Sequence, residues 1–279
     1  MTKTFVIAEV GINHNGQVEL AKKMIDGAIF AGCDAVKFQK RTIDEVYTKE
    51  ELDKFRESPW GTTNREQKYG LEFEKKEYDA IDAYCKEKNI YWFASAWDVK
   101  SQLFLRQYNL KYNKVASAML TNKELLETIA DEKKHTFIAI GMSTLEEVDK
   151  AVAIFRKKNC PFELMQCNSC YPAPQNQAHL RLIPALKERY GCNVGYSSHH
   201  AGIIVPCAAV ALGATSIEAH ITLERSMYGS DQAASIEVVG FAKMVKYIRG
   251  VEESLGEPIK IVTPQEEEAK KKLRRVNTL

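Results

Sequence analysis

The sequence predicts an α/β protein of the TIM-barrel, or (β/α)8, kind, on three observations. β-branched apolar runs alternate with amphipathic helical patterns, the signature of a parallel sheet with crossover helices. Eight of each can be counted along 279 residues, which suits a closed barrel of about 250 residues. Ionisable side chains gather toward the C-terminal ends of the runs, where such barrels keep their chemistry. A doubly wound open sheet, which would use fewer strands, is the alternative.

Strands are expected at about 4–10, 35–39, 90–95, 112–117, 136–141, 162–167, 193–197 and 216–222. Helices follow at about 18–31, 75–88, 99–107, 122–132, 145–158, 179–190, 203–213 and 238–255. No composition shift marks an internal boundary, so residues 1–258 read as one barrel domain and 259–279 as a charged C-terminal extension. Residues 41–73 fall outside the count. A polar insertion of this length is read as a lid or binding loop over the barrel mouth.

Lysine and arginine total 39 against 37 aspartate and glutamate, a balance that gives no signal for nucleic acid. No apolar run is long enough to span a membrane, and the first residues lead into a strand without a signal peptide. The seven cysteines are odd in number and scattered through apolar segments, which fits reduced thiols and a cytoplasmic protein. Cys167-Asn168-Ser169-Cys170 has the C-x-x-C spacing. It lacks the second cysteine pair or following helix that zinc or redox chemistry would need.

The chemistry is sought at the strand ends. Alternate residues of a strand share a face, so Ser197 goes with His199 and Glu218 with His220. If the two strands are parallel neighbours, two imidazoles meet at one end of the sheet. With carboxylates nearby, they suit Mn²⁺, Zn²⁺ or Fe²⁺. Glu9, Lys37 and Lys114 interrupt apolar strands. Buried ammonium groups imply a bound anion or paired carboxylates. Lys37 and Lys114, with Ser117, Ser197 and Ser169, form a candidate phosphate and carboxylate cradle. Gln39 shares the face of Lys37, Ser95 ends the third strand and Tyr171 follows the sixth. Such a site fits carbon–carbon bond chemistry on a phosphorylated or carboxylated small molecule, and equally metal-dependent hydrolysis.

The ordered motifs narrow this. Glu9 to Gly16, Lys37-Phe38-Gln39, Lys114-Val115-Ala116-Ser117, Gly141-Met142-Ser143, Gln166 to Pro172, Gly195 to His199, Glu218 to Leu223 and Gly229-Ser230-Asp231-Gln232 resemble the successive motifs of the sialic acid synthase family. The resemblance implies a TIM barrel that condenses phosphoenolpyruvate with an N-acetylmannosamine-like sugar, giving a nine-carbon 2-keto-3-deoxy acid and phosphate. It implies that His199 and His220 hold a divalent metal, usually manganese. It implies that Lys37, Ser95, Lys114, Ser117, Ser169 and Ser197 bind phosphoenolpyruvate, and that Glu9, Gln39, Tyr171 and Asp231 stand near the reacting sugar.

Departures from the family pattern carry expectations too. Ala118-Met119 replaces a pair ending in an acid, so Glu9, Glu218 or Asp231 is expected to take that acid's part. Ala139-Ile140 replaces a serine–threonine pair, removing a phosphate hydroxyl. Many members continue past a tail like 259–279 into an antifreeze-like domain that closes a partner's site. Here closure would fall to 41–73, and the homo-oligomer is left open. Another metal-dependent barrel lyase or hydrolase, and a non-catalytic sugar-binding barrel, are the competing readings.

Overall fold

Strand pleating turns alternate residues to the two faces of the sheet, and both faces are buried in this chain. In the computed structural model, which describes residues 3–276, eight parallel strands form a closed ring. They are β1 Phe5–Gly11, β2 Ala35–Lys40, β3 Tyr91–Ala96, β4 Tyr112–Val115, β5 His135–Ala139, β6 Phe162–Cys167, β7 Val194–Ser198 and β8 Ser216–Thr222. Each pairs with the next, and β8 returns to β1 from Phe5↔Ser216 to Glu9↔His220. A two-residue strand, Ile236–Glu237, extends the pairing beyond β8.

Outward residues such as Val6, Ala8, Val36, Phe38, Leu164, Ile217 and Ala219 are buried under the ring of helices. Those helices are Val18–Ala31, Lys75–Lys88, Val99–Leu105, Lys123–Ala130, Leu145–Lys157, Leu182–Tyr190, Ile204–Ala211 and Val238–Leu255. Each sets an apolar stripe on the sheet, as with Met24, Ile25 and Ala28 of the first or Phe241, Met244 and Ile248 of the last. Several starts are fixed locally: Thr144 and Glu147 form a reciprocal capping box ahead of Leu145–Lys157, which satisfies N–H groups a helix start leaves unpaired.

The inner face changes character along the barrel axis. Near the N-terminal ends, Phe5, Phe93, Tyr112 and Phe137 stack into a plug, with Phe5–Phe137 centroids at 5.9 Å and Phe93–Phe137 at 5.7 Å. Glu163, on β6 beside Phe137, is buried. Burial raises its carboxyl above the usual range even though Ser216 and Thr215 donate to it. Further along the barrel axis the interior becomes polar and charged, with Ser95 and Lys114 two residues past Phe93 and Tyr112.

The expected elements are present with shifted ends. β4 stops at Val115 because the Met119 amide bonds back to the Ala116 carbonyl at 2.8 Å, closing a 3-10 turn over Ser117–Met119. His199 lies one residue past β7. The 41–73 insertion is not a loop but a folded cap: short helices Ile43–Val46 and Lys49–Leu52, a hairpin of Phe55–Ser58 with Gly61–Thr63, and helix Asn64–Leu71. Local caps build it: Thr48 accepts from the Glu51 amide, and Thr63 with Glu66 forms a capping box. Asp98 anchors its start by accepting from the Thr42 amide and hydroxyl at 2.7 and 2.9 Å. At its far end Lys40 reaches Glu72 and Glu74 at 3.1 and 3.2 Å. Trp60 meets Tyr228 edge-on at 5.8 Å, tying the cap to the loop after β8. Beyond the last barrel helix, Pro264–Leu273 forms a capped helix with no buried residue.

Candidate active site

Strand register brings the ionisable residues together. Glu9 is opposite Lys37 on one side and His220 on the other, Gln39 is opposite Ser95, Ser95 opposite Lys114, and Glu218 opposite Ser197. All line one cavity of about 150 Å³ at the C-terminal end of the barrel, joined there by His199, Tyr171, Ser117 and Ser169.

A buried charge cluster forms its floor. Lys114 donates to both oxygens of Glu218 at 2.9 and 2.7 Å, and Lys37 stands 2.7 Å from Glu9 and 3.6 Å from Glu218. Ser197 also donates to Glu218, at 3.2 Å, and Gln39 to Glu9 at 2.7 Å. Thus both lysines are paired with carboxylates and still face the cavity. Burial opposes charge on Glu218, but the Lys114 and Lys37 ammoniums outweigh it and hold its carboxyl at about 2. Burial also works against Lys37, yet Glu218 and Glu9 raise it. Burial lowers Lys114; Glu218 opposes, but the Lys37 charge tips the balance down.

Beside this floor is a corner of hydroxyls. The Gly141 amide points to Ser117 Oγ at 3.1 Å and to Cys167 Sγ at 3.2 Å. Ser169 Oγ is buried without a hydrogen-bond partner. A Cβ on Gly141 would stand 2.4 Å from Ser169 Oγ and 2.9 Å from Ser117 Oγ, so glycine keeps the corner open. An amide N–H with two hydroxyls beside an ammonium is a receptor for a phosphate or carboxylate oxygen. Ala139 and Ala118 supply apolar wall here, and Met119 packs against the core. No carboxylate stands at that position, and Glu9 and Glu218 are the acids that line the cavity.

The imidazoles form the opposite wall. His199 and His220 ring centroids are 5.6 Å apart. The Asn168 carbonyl accepts from His199 Nδ1, which leaves Nε2 as the acceptor nitrogen, now bonded to the Tyr171 hydroxyl at 2.8 Å. Burial, then the neighbouring His220, lowers His199 to about 3, so the ring is neutral at pH 7. His220 Nδ1 is buried without a hydrogen-bond partner, with Asp231 3.9 Å away. A ring nitrogen with an available lone pair is what a divalent metal needs. Among the described residues no group of three or more His, Cys, Asp or Glu could hold a metal. A metal held by His199 and His220 alone would take its other positions from water or substrate. His200 is different: it is held by Tyr196 and the Ala173 carbonyl, each at 2.8 Å, and is structural.

Every sequence-predicted site residue except Asp231 lines the cavity. Asp231 sits at the rim, in reach of His220 but not in the wall. The sequence reading missed Trp97 and Met142, which also line it, and Arg41, stacked 4.1 Å from the Trp97 ring centre and donating to Gln39. Trp97 directly follows β3 and Gly141-Met142 follows β5, so position just past a strand was the available signal.

A closed parallel barrel with charged and metal-competent groups at its C-terminal mouth is the architecture of an enzyme. A family model described as the NeuB family matches residues 24–260. N-acetylneuraminate-9-phosphate synthase of Mus musculus is 36% identical over 272 residues, covering 96% of this chain and 76% of that protein. N,N'-diacetyllegionaminic acid synthase of Campylobacter jejuni is 34% identical over 277 residues, covering 96% of this chain and 82% of that protein. The crystal structure of an N-acetylneuraminic acid synthetase from Leptospira borgpetersenii, in complex with citrate, superposes with a TM-score of 0.87 at 34% identity. It covers 99% of this chain and 94% of that one. The chain belongs to the NeuB family.

Proposed function

We propose that this protein condenses phosphoenolpyruvate with an N-acetylmannosamine-like amino sugar, releasing phosphate and forming a nine-carbon 2-keto-3-deoxy acid. The observation that carries the reading is that two lysines and two histidines open into one cavity of a NeuB-family barrel. Relatives of similar identity are named for a 9-phosphate product and for legionaminic and pseudaminic acids, so the reaction type is shared while the sugar varies.

In this reading Lys37 and Lys114 leave part of their pairing with Glu9 and Glu218 to hold the phosphate and carboxylate of phosphoenolpyruvate. Ser117, Ser169, Ser197, Ser95 and the Gly141 amide complete the cradle. Carbon 3 of phosphoenolpyruvate attacks the sugar aldehyde to form the new carbon–carbon bond, the C=O π bond breaks, and the aldehyde oxygen takes up a proton to become a hydroxyl. Water adds to the resulting cationic carbon 2, and the adduct collapses to the keto acid as the carbon–oxygen bond to phosphate breaks. Glu218 and Glu9 stabilise positive charge at carbon 2 and accept a proton from that water. Gln39, Tyr171 and Asp231 hold the sugar. His199 and His220 would hold a divalent ion, which we propose is manganese and which, when bound, polarises the aldehyde. We place the protein in the cytoplasm, in keeping with seven unpaired thiols. No helix among the described residues is long and apolar enough to cross a membrane.

The test is phosphate release from phosphoenolpyruvate across a panel of amino sugars with Mn²⁺. Release that requires both sugar and metal supports the reading. Absence of release with every sugar, or release without any sugar, contradicts it.

A further inference from the structure

We infer that Cys167 is a positioning residue of the anion corner. Its thiol accepts the Gly141 amide on one side and gives its own proton to Ser117 on the other, which turns the Ser117 hydroxyl to donate to a bound phosphate or carboxylate oxygen. The inference rests on the synthase reading above and adds a residue to it.

Strand pleating places the thiol. Alternate residues of β6 share a face, so Cys167 points the same way as Glu163 and Met165. Its register partner is Ser197, which lines the cavity. Cys167 is buried and stands behind the cavity wall, with Ser117 in front of it. Cys167 Sγ is 3.1 Å from Ser117 Oγ and 3.2 Å from the Gly141 nitrogen, and that nitrogen is 3.1 Å from Ser117 Oγ. A Cβ on Gly141 would stand 2.9 Å from both the sulfur and Ser117 Oγ, so the triangle closes only around a glycine.

The amide, the thiol and the hydroxyl carry one proton each. The amide can only donate, and it points at both Ser117 Oγ and Cys167 Sγ. The bond between the hydroxyl and the thiol can then run in either of two directions. If Ser117 donates to sulfur, its proton is spent behind the wall and its lone pairs face the cavity, where they repel an anion. If the thiol donates, Ser117 Oγ takes one hydrogen from Cys167 and one from Gly141, and its own proton is left for the cavity. An oxyanion only accepts, so its binding selects the second arrangement. That arrangement needs a protonated thiol. Burial raises Cys167 above the ordinary thiol range, against the opposing hydrogen bond to Ser117 and the Lys114 charge, so the proton is present at pH 7. Ala139 adds no hydroxyl to this wall, which makes the direction of Ser117 count for more.

The experiment is a double-variant cycle on phosphoenolpyruvate affinity, read by calorimetric titration into the wild type, Cys167→Ala, Ser117→Ala and the two combined, with Cys167→Ser as the conservative change. Cys167→Ala should weaken binding about fivefold or more, and Cys167→Ser should stay within about twofold of wild type. Once Ser117 is alanine, Cys167→Ala should cost nothing further. In turnover, Cys167→Ala should raise KM for phosphoenolpyruvate while kcat and KM for the sugar hold. A thiol that merely fills space would act alike in both backgrounds. An undiminished loss in the Ser117→Ala background, a Cys167→Ser as weak as Cys167→Ala, or wild-type affinity in Cys167→Ala would each overturn the inference and leave the synthase reading intact. Should Cys167→Ala fail to fold, Cys167→Val, close in shape and without a donor, takes its place in the cycle. If the wild type binds no phosphoenolpyruvate, the synthase reading fails, and the same cycle with inorganic phosphate decides the corner. Coupled losses then support the role of Cys167, and independent losses or no phosphate binding overturn it.

Discussion

At the N-terminal end of the barrel the interior is filled by Phe5, Phe93, Tyr112 and Phe137, with ring centroids from 5.1 to 5.9 Å apart along Phe5–Tyr112, Phe93–Phe137 and Phe5–Phe137. At the C-terminal end β1, β2, β4 and β8 turn Glu9, Lys37, Lys114 and Glu218 inward around open space. Tyr112 and Lys114 are two residues apart on one strand, as are Phe93 and Ser95. Strand pleating puts each pair on the same face, so a single closed sheet carries a packed foundation and a reactive mouth. Apolar rings gain from burial. Buried ion pairs roughly break even against apolar packing. Charges kept at the mouth therefore answer to chemistry, and the plug supplies the stability that lets them stay.

The largest effect that would break this contrast is expected at Lys114. Lys114→Met should lower kcat/KM about 10³-fold and destabilise the fold by about 3 kcal/mol, because Glu218 loses its closest partner. Adding Glu218→Met should restore stability toward wild type without restoring activity, as urea unfolding and phosphate release would show. Recovery of activity in the double variant would mean that the pair is only structural.

His220→Ala should abolish metal-dependent turnover while costing about 1–2 kcal/mol of stability, since its Nδ1 has no hydrogen bond to lose. Thermal melts with and without Mn²⁺ sharpen the point. The wild type should gain stability from the ion and the variant should not.

At the plug the expectation reverses. Phe137→Ala should destabilise by about 3–5 kcal/mol while the folded fraction keeps kcat/KM within a few-fold of wild type. A catalytic loss as large as that of Lys114→Met would merge the two regions into one.

A smaller effect should appear in acid. Burial, reinforced by Arg41, lowers His14 to about 3, and its ring stacks on Phe73 at 3.8 Å. The neutral ring is the folded form, so its contribution is complete above pH 6.5 and declines as pH falls below that value. The slope approaches about 1.4 kcal/mol per pH unit. His14→Asn should flatten that limb of a stability–pH curve measured by urea unfolding between pH 4 and 7 (about the range that matters).

Much of this was legible in the sequence, for physical reasons that also mark the limit. A charge in an apolar strand stands out, so Glu9, Lys37, Lys114, Glu218 and His220 could be found before any fold was known. Parallel pairing then left them little choice but to converge. The cap could not be read in the same way. Arg41 at its start lies among other polar residues and offers no contrast, and the cap's docking depends on Trp60 meeting Tyr228 across most of the chain. Asp231 stands at the rim and not in the cavity wall, because it precedes the 3-10 turn Gln232–Ala234 in the loop after β8 and is not placed by strand register. Of the two readings of the lysines, anion receptors or ion-pair partners, the structure shows the ion pairs with Glu9 and Glu218, set at the wall of the cavity.

The most direct test of the central claim is calorimetric titration of phosphoenolpyruvate into the wild type and into Lys37→Met and Lys114→Met. Binding should weaken about 100-fold or more in each variant, with folding verified by circular dichroism. Unchanged affinity in both folded variants would contradict the assignment of the lysine floor as the phosphoenolpyruvate site.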